Sequence, residues 1–276
     1  GTTEAVRPMV LGPAGARTAV ISLLDRHQRE PRSAAAIGIA RDPAALASIR
    51  QAAAQHDAVI VVLHFVAELR ERPLRGWRRL VSKILDAGAD VVISHGTHVV
   101  GPVITERRAG RPVLVAWGLG NLLTEMGNDA SPRAPDARDD KWASARSREQ
   151  LLARIEVRPR DGAPPGPGVV GTRARIEVSF LPAWMAHDRD LVERHVIRGP
   201  IRHSIEPVAA CGRPIPLPDT WPERERASVD RWVSRRRDHM LRASRLRSAR
   251  CDACGADEAC RRASGPHLLA APHLAE

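Results

Sequence analysis

His64, His95 and His98 are the side chains of this sequence whose type and placement could do chemistry. His64 ends the apolar run of DAVIVVLHFVAELRERP, Glu68 follows four positions later, and the chain then turns strongly basic. Further on, DVVISHGTHVVGP ends a second β-branched run on His95 and, three residues later, His98. One histidine at a strand end is ordinarily held by a hydrogen bond and nothing more; the repetition points to a site. Imidazoles converging on one sheet edge suit a borderline transition metal such as zinc, manganese or iron. Such an ion lowers the pKa of a bound water to about 7 and neutralises charge on a phosphoryl or acyl oxygen. Gly96 permits a tight turn between His95 and His98. Glu68 could orient a ligand histidine, act as general base, or bind substrate.

The elements that must position these groups are legible from pattern. RTAVISLLD (17–25), DAVIVVLH (57–64) and ADVVISH (89–95) read as strands, the second a near-continuous apolar run of a buried strand. DPAALASIRQAAAQH (42–56) reads as a helix with Asp42 as N-cap, Pro43 in the first turn, and Leu46, Ile49 and Ala53 on one face. RGWRRLVSKILDAG (75–88) is amphipathic, with Trp77, Leu80, Val81, Ile84 and Leu85 at helical spacing and Gly88 as the stop. VVGPVITERRAGRPVLVAWGLGN reads as two strands joined by a turn at Ala109-Gly110. Alternating strands and helices predict an α/β fold with a mostly parallel sheet, whose strand carboxyl ends carry the chemistry. Beyond it, 126–148 reads as a polar loop and DGAPPGPG (161–168) as a flexible turn. LLARIEVRPR and RARIEVSFLPAW alternate as half-buried antiparallel strands, and a helix begins near Pro222.

Composition narrows the function classes. The 276 residues, 43% hydrophobic, are enough for a real core, and no run approaches the ~20 apolar residues of a membrane span. The net charge of +11 ordinarily points to nucleic acid or an anionic surface. Here the basic residues are almost all arginine (Lys83 and Lys141 are the lysines), tyrosine is absent, and Phe65 and Phe180 stand apart. No platform for stacking bases is evident, so no nucleic-acid partner is expected. CDACGADEAC carries Cys251, Cys254 and Cys260, which match no common zinc-finger spacing cleanly, and that tail is expected to be poorly ordered.

DAVIVVLHFVAE, then ILDAGADVVISHGTHVVGPV, then GRPVLVAWGLGNLL resemble the successive motifs of the CapA-type poly-γ-glutamate capsule synthesis proteins. EAVRPMVL and VSFLPAWM add weaker likeness, so that the resemblance runs from about residue 1 to 185. It implies a calcineurin-like metallophosphoesterase sandwich, two packed mixed sheets flanked by helices. It also implies three units: 1–185 as the family domain, 186–246 as an extension with a helix, and 247–276 as the Cys-containing tail. His64, His95 and His98 match metal-ligand histidines. Glu68 matches the active-site glutamate, with His98 also in the catalytic group, and Gly120 and Asn121 match a Gly-Asn pair lining the pocket on the substrate side. A divalent manganese, iron or zinc is the implied cofactor. The implied partners are an anionic polymer or phosphoester and capsule-synthesis membrane proteins, at the extracytoplasmic side of the cell envelope.

The sequence departs from the family pattern at Ser94, Thr97, Gly118 and Leu122, and Phe65 and Val66 put a bulky residue next to His64. No Gly-Asp motif followed by Asn-Asn-His precedes His64. The domain is therefore expected to lack its first part, as a fragment or as a degenerate relative. The expected function is a metal-dependent hydrolase of capsule or envelope polymer synthesis; the alternative is a non-catalytic accessory protein that binds an anionic polymer over its arginines.

Overall fold

The structure, a computed structural model, describes residues 7–25, 39–122, 124, 126, 145–160, 169–170, 173–208, 215, 217–243 and 269–270. The 161–168 turn, Cys211, the CDACGADEAC cysteines, and all but residues 126 and 145–148 of the expected polar loop lie outside the described residues.

Strands β1 (Met9–Leu11), β2 (Thr18–Leu24), β3 (Ala58–His64), β4 (Val91–His95), β5 (Val103–Arg108) and β6 (Arg111–Ala116) form one sheet in the order β1-β2-β3-β4-β6-β5. The contacts β2–β3, β3–β4 and β4–β6 are parallel, and the two outer contacts are antiparallel. Helix α1 (Pro43–Gln55) crosses from β2 to β3, and α2 (Arg75–Asp86) crosses from β3 to β4. The fold is therefore mixed α/β, as the pattern of elements predicts, with a parallel centre and antiparallel edges.

A second sheet is built around β9 (Ala174–His187). β9 pairs with β7 (Glu149–Pro159), β8 (Val169–Val170), β10 (His203–Pro207) and β11 (Leu269–Ala270). The remaining helices are α3 (Arg189–Glu193) and α4 (Glu223–Ala243). The sequence reading foresaw β7, β9 and α4. It missed β1, β8, α3, β10 and β11, each of five residues or fewer, too short to carry a period.

Side-chain alternation sorts the first sheet into two faces. Val59, Val61 and Leu63 of β3, with Val92, Val113 and Val115, pack against α1 and α2. Ala58 and Ile60, with Val91, Leu114 and Ala116, pack against Ile176, Val178 and Phe180 of the second sheet. The layers run helices, sheet, sheet. This is why β3 reads as continuous hydrophobicity: both its faces are covered.

The helices end where their sequences dictate. The Asp42 carboxylate accepts from the Ala44 amide at 2.9 Å, capping α1 with Pro43 in its first turn. Gly88 stops α2 with φ +117°, and a Cβ there would stand 2.5 Å from that of Ala53. The buried face of α1 is turned slightly from the predicted one: Ala45, Ile49 and Ala52 are the buried residues, with Leu46 and Ala53 partly buried.

Two charged anchors tie the layers together. Asp90, buried at the start of β4, accepts from the Val59 amide (2.9 Å), from Arg111 (2.8 Å) and from Arg173 (3.2 Å). It thereby joins β3, the start of β6 and the approach to β9. Arg236 of α4 makes two bonds to the buried Glu149 carboxylate (2.7 and 2.8 Å) and one to Glu71 (2.8 Å). Burial pushes the Glu149 carboxyl up, and the Arg236 guanidinium opposes that shift. Removing one partner of such a pair leaves a buried, uncompensated charge. Arg236→Ala is therefore expected to cost about 3–5 kcal/mol in urea denaturation, and adding Glu149→Gln is expected to recover much of the loss.

Candidate functional site

His64 and His95 are the last residues of β3 and β4 and stand opposite each other in the parallel register. They have the parity of Ile60 and Val91, so both side chains leave the sheet on the face that meets the second sheet. Strand spacing then brings the rings together. Nδ1 of His64 lies 3.0 Å from Nδ1 of His95, and the ring centroids are 4.7 Å apart at 73°. Such a contact needs one Nδ1 protonated and the other bare, so it suits two neutral rings of opposite Nδ1 state. The backbone holds the pair from both sides: the Asp25 amide donates to His64 O and the Phe65 amide to His95 O, each at 2.9 Å.

The HGTH turn then reverses closely. Gly96 has φ +88°, and a Cβ there would lie 2.1 Å from Phe65 O and 2.7 Å from Cε1 of His64, so only glycine fits. Thr97, in the place of the family's proline, is buried; its hydroxyl donates to Val99 O and its carbonyl accepts from the Leu69 amide at 2.7 Å. This second bond folds the 65–70 segment back over the turn and brings Glu68 near His98, with Nε2 of His98 3.9 Å from Oε1 of Glu68. His98 itself takes the left-handed conformation (φ +60°). Phe65, expected to crowd His64, instead points to the helical face, where it stacks on Trp77 with ring centroids 4.1 Å apart; the strand's alternation turns it away.

Asn121 completes the constellation. Its Oδ1 lies 2.7 Å from Nδ1 of His98, and its Nδ2 donates to Ser147 O at 3.0 Å. Taken as an acceptor, Asn121 puts a proton on Nδ1 of His98 and turns Nε2 toward Glu68. Gly120 is needed for the backbone: with φ +76°, it lies so close to β7 that a Cβ would meet Glu149 O at 2.1 Å. Its own role in the structure is to seat Asn121 against the second sheet.

Burial, first, and the positive charge of neighbouring imidazoles, second, hold both pairing rings below the ordinary histidine value. His64 is affected by His98, and His95 by His64 and His98. Neutral imidazole nitrogens are the right donors for zinc, manganese or iron. The 3.0 Å between the two Nδ1 atoms also suits two ligands of one ion, each at about 2.0–2.1 Å. The fit is to an open, two-imidazole site: among the described residues no group of three or more His, Cys, Asp and Glu side chains stands close enough to hold a metal. His98 stands beside Glu68 and Asn121 at the same sheet edge.

Residues 2–126 match the family described as bacterial capsule synthesis protein PGA_cap. Over these residues the chain is similar to that family. The matched stretch holds His64, Glu68, His95, His98, Gly120 and Asn121. No curated protein matches the chain. Among solved structures, a hypothetical protein from Thermus thermophilus is similar at 14% identity and a TM-score of 0.33, over 63% of this chain. The chain spans 61% of that protein's length.

Sequence reasoning found the histidines but missed what braces them. Asp90 had a signal, a lone carboxylate opening an apolar strand. Ser147, Glu149 and Arg236 had none, because their partners are distant in sequence.

Two outcomes test this geometry. Gly96→Ala forces a clash with the Phe65 carbonyl and the His64 ring, and is expected to lower Tm by several degrees and shift the His64 ring resonances by NMR. The lowered values of His64 and His95 mean that the folded chain binds fewer protons than the unfolded chain just below pH 6.5. Their contribution to stability is thus full above 6.5 and is lost as the pH falls through their folded values. NMR titration is expected to place both below 6.5, with His64→Ala moving His95 back up; ordinary values for both in the unaltered chain would contradict the packing.

Proposed function

We propose that this chain acts in capsule or envelope polymer synthesis as a hydrolase centred on the strand-end histidines. The observation that carries the reading is the registered His64–His95 pair, flanked at the same sheet edge by Glu68, His98 and Asn121. Similarity of residues 2–126 to the capsule synthesis family supports the cellular role. The face-to-face sheets with helices on the outer face support reading the fold as a calcineurin-like metallophosphoesterase sandwich.

In this reading His64 and His95 would hold one divalent transition ion. Such an ion, when bound, would supply an acidified water and polarise a phosphoryl or acyl oxygen. The chain's own groups divide the remaining work. His98, its Nδ1 proton pointed at Asn121, presents Nε2, which in the neutral ring can take a proton from an incoming nucleophile. Glu68 beside it stabilises the imidazolium that results. The amide of Asn121, tied to Ser147 O, keeps that ring from rotating. The substrate would be an anionic polymer or a phosphoester, met at the extracytoplasmic side of the envelope beside capsule-synthesis membrane proteins.

A second reading, a non-catalytic protein that binds an anionic polymer, is favoured by one observation: among the described residues no group of three or more His, Cys, Asp and Glu side chains stands close enough to hold a metal. Elemental analysis of chain purified without chelator separates the two. Stoichiometric metal, lost in His64→Ala and in His95→Ala, is expected for the hydrolase. No bound metal after incubation with manganese, iron and zinc would sink it and leave the accessory reading.

A further inference from the structure

The basic segment that follows Glu68 and the basic helix α4 are far apart in sequence, yet they face each other across a cavity of about 850 Å³. Its wall includes Arg70, Arg72, Arg75 and Arg78 from one side and Arg235 from the other. Glu71, also in the wall, is already taken up by Arg236 and Arg146. Among the described residues no carboxylate pairs with any of those five guanidinium groups; Arg235 bonds only a backbone carbonyl, that of Arg231. The start of α2 adds to the imbalance. Leu74 offers it no side-chain cap, and its first turn holds no acid, although Arg75 and Arg78 sit at the positive end of the helix dipole, where carboxylates are usually favoured.

We propose that this cavity is a binding site for a compact, multiply charged phosphorylated ligand, one carrying a diphosphate or triphosphate group. The chemistry decides the class. Guanidinium forks match phosphate oxygens in pairs, and five of them converging on one space need several negative charges close together, which a single carboxylate does not bring. The volume is in the range of small-ligand pockets, roughly 300–1,000 Å³. A polynucleotide is disfavoured, because every aromatic ring among the described Phe and Trp residues is buried. Trp232, which lines the cavity, is 4% exposed with Arg235 set over its ring, so no face is open to stack a base. Leu74, 42% exposed at the cavity's edge, leaves two sources for the diphosphate: a soluble molecule, or a headgroup presented by a membrane.

Isothermal titration of the full chain with sodium pyrophosphate and with tripolyphosphate, at physiological salt, tests the site. One equivalent is expected to bind, tripolyphosphate more tightly. Arg75→Ala/Arg78→Ala is expected to weaken binding at least tenfold, as is Arg72→Ala/Arg235→Ala, with the circular dichroism of each unchanged. Arg107→Ala/Arg108→Ala, which removes the same charge from the β5–β6 hairpin, and His64→Ala are both expected to leave it within twofold. The His64 control separates this site from the imidazole centre, so either can fail without the other. Phosphatidylcholine vesicles carrying an isoprenyl diphosphate distinguish the source. Capture of the chain that pyrophosphate reverses assigns a headgroup, and pyrophosphate binding without capture assigns a soluble ligand. The proposal is overturned by absence of binding, by equal loss in the Arg107/Arg108 control, or by tighter binding of a single-stranded oligonucleotide than of tripolyphosphate.

Discussion

The register between β3 and β4 is the constraint on which the rest of the molecule depends. Asp90 sets it at the amino ends, where its carboxylate accepts from the Val59 amide and its own amide donates to Val59 O. Five residues further along, that same register delivers His64 and His95 side by side. A slip of one residue would turn one imidazole into the helical face and break both the pair and the core. The polar anchor therefore lies at one end of the strands and the chemistry at the other, with two apolar layers holding the distance between them.

The turn after β4 is equally over-determined. Gly96 is required by contact with Phe65 O, the Thr97 hydroxyl is held by Val99 O and its carbonyl by the Leu69 amide, and the left-handed His98 bonds Asn121. These contacts draw the site from three separate stretches: the end of β3 with the segment behind it, the HGTH turn, and the residues after β6. The 3-10 turn just before β7, Ala145–Arg148, adds the Ser147 carbonyl, which fixes the Asn121 amide. A polar centre assembled this way is held by backbone geometry more than by long side chains, so its groups keep their places at little entropic cost.

Charge is distributed in two different manners. Two buried carboxylates are met by arginine: Asp90 by Arg111 and Arg173, Glu149 by Arg236. Those pairs act as joints between layers, and Arg236 also ties α4 to the 69–74 segment beside the site. Arg70, Arg72, Arg75, Arg78 and Arg235 on the two walls of the neighbouring cavity have no such carboxylates among the described residues. The excess positive charge of the chain is thus uneven in effect: neutralised where it joins elements and left uncompensated at one concave surface.

Local pattern was sufficient for the strands β2 to β7 and β9, for helices α1, α2 and α4, and for the turn at Ala109-Gly110. In these segments the hydrophobic period, the Asp42-Pro43 start and the Gly88 stop all agree with the fold. His64 and His95 were visible for the same reason, since each ends a strand; Glu68 and His98 follow within four residues of those ends, and Asn121 was marked by the family resemblance. What the sequence could not determine is which of them touch. The His64–His95 contact follows from pairing register, and the His98–Asn121 bond from the return of the chain after β6. The Arg236–Glu149–Glu71 joint and the facing of two basic segments across one cavity arise from packing between residues far apart along the chain. Periodicity records which face a residue takes, but not which distant residue it will meet there; that is decided only when the layers close.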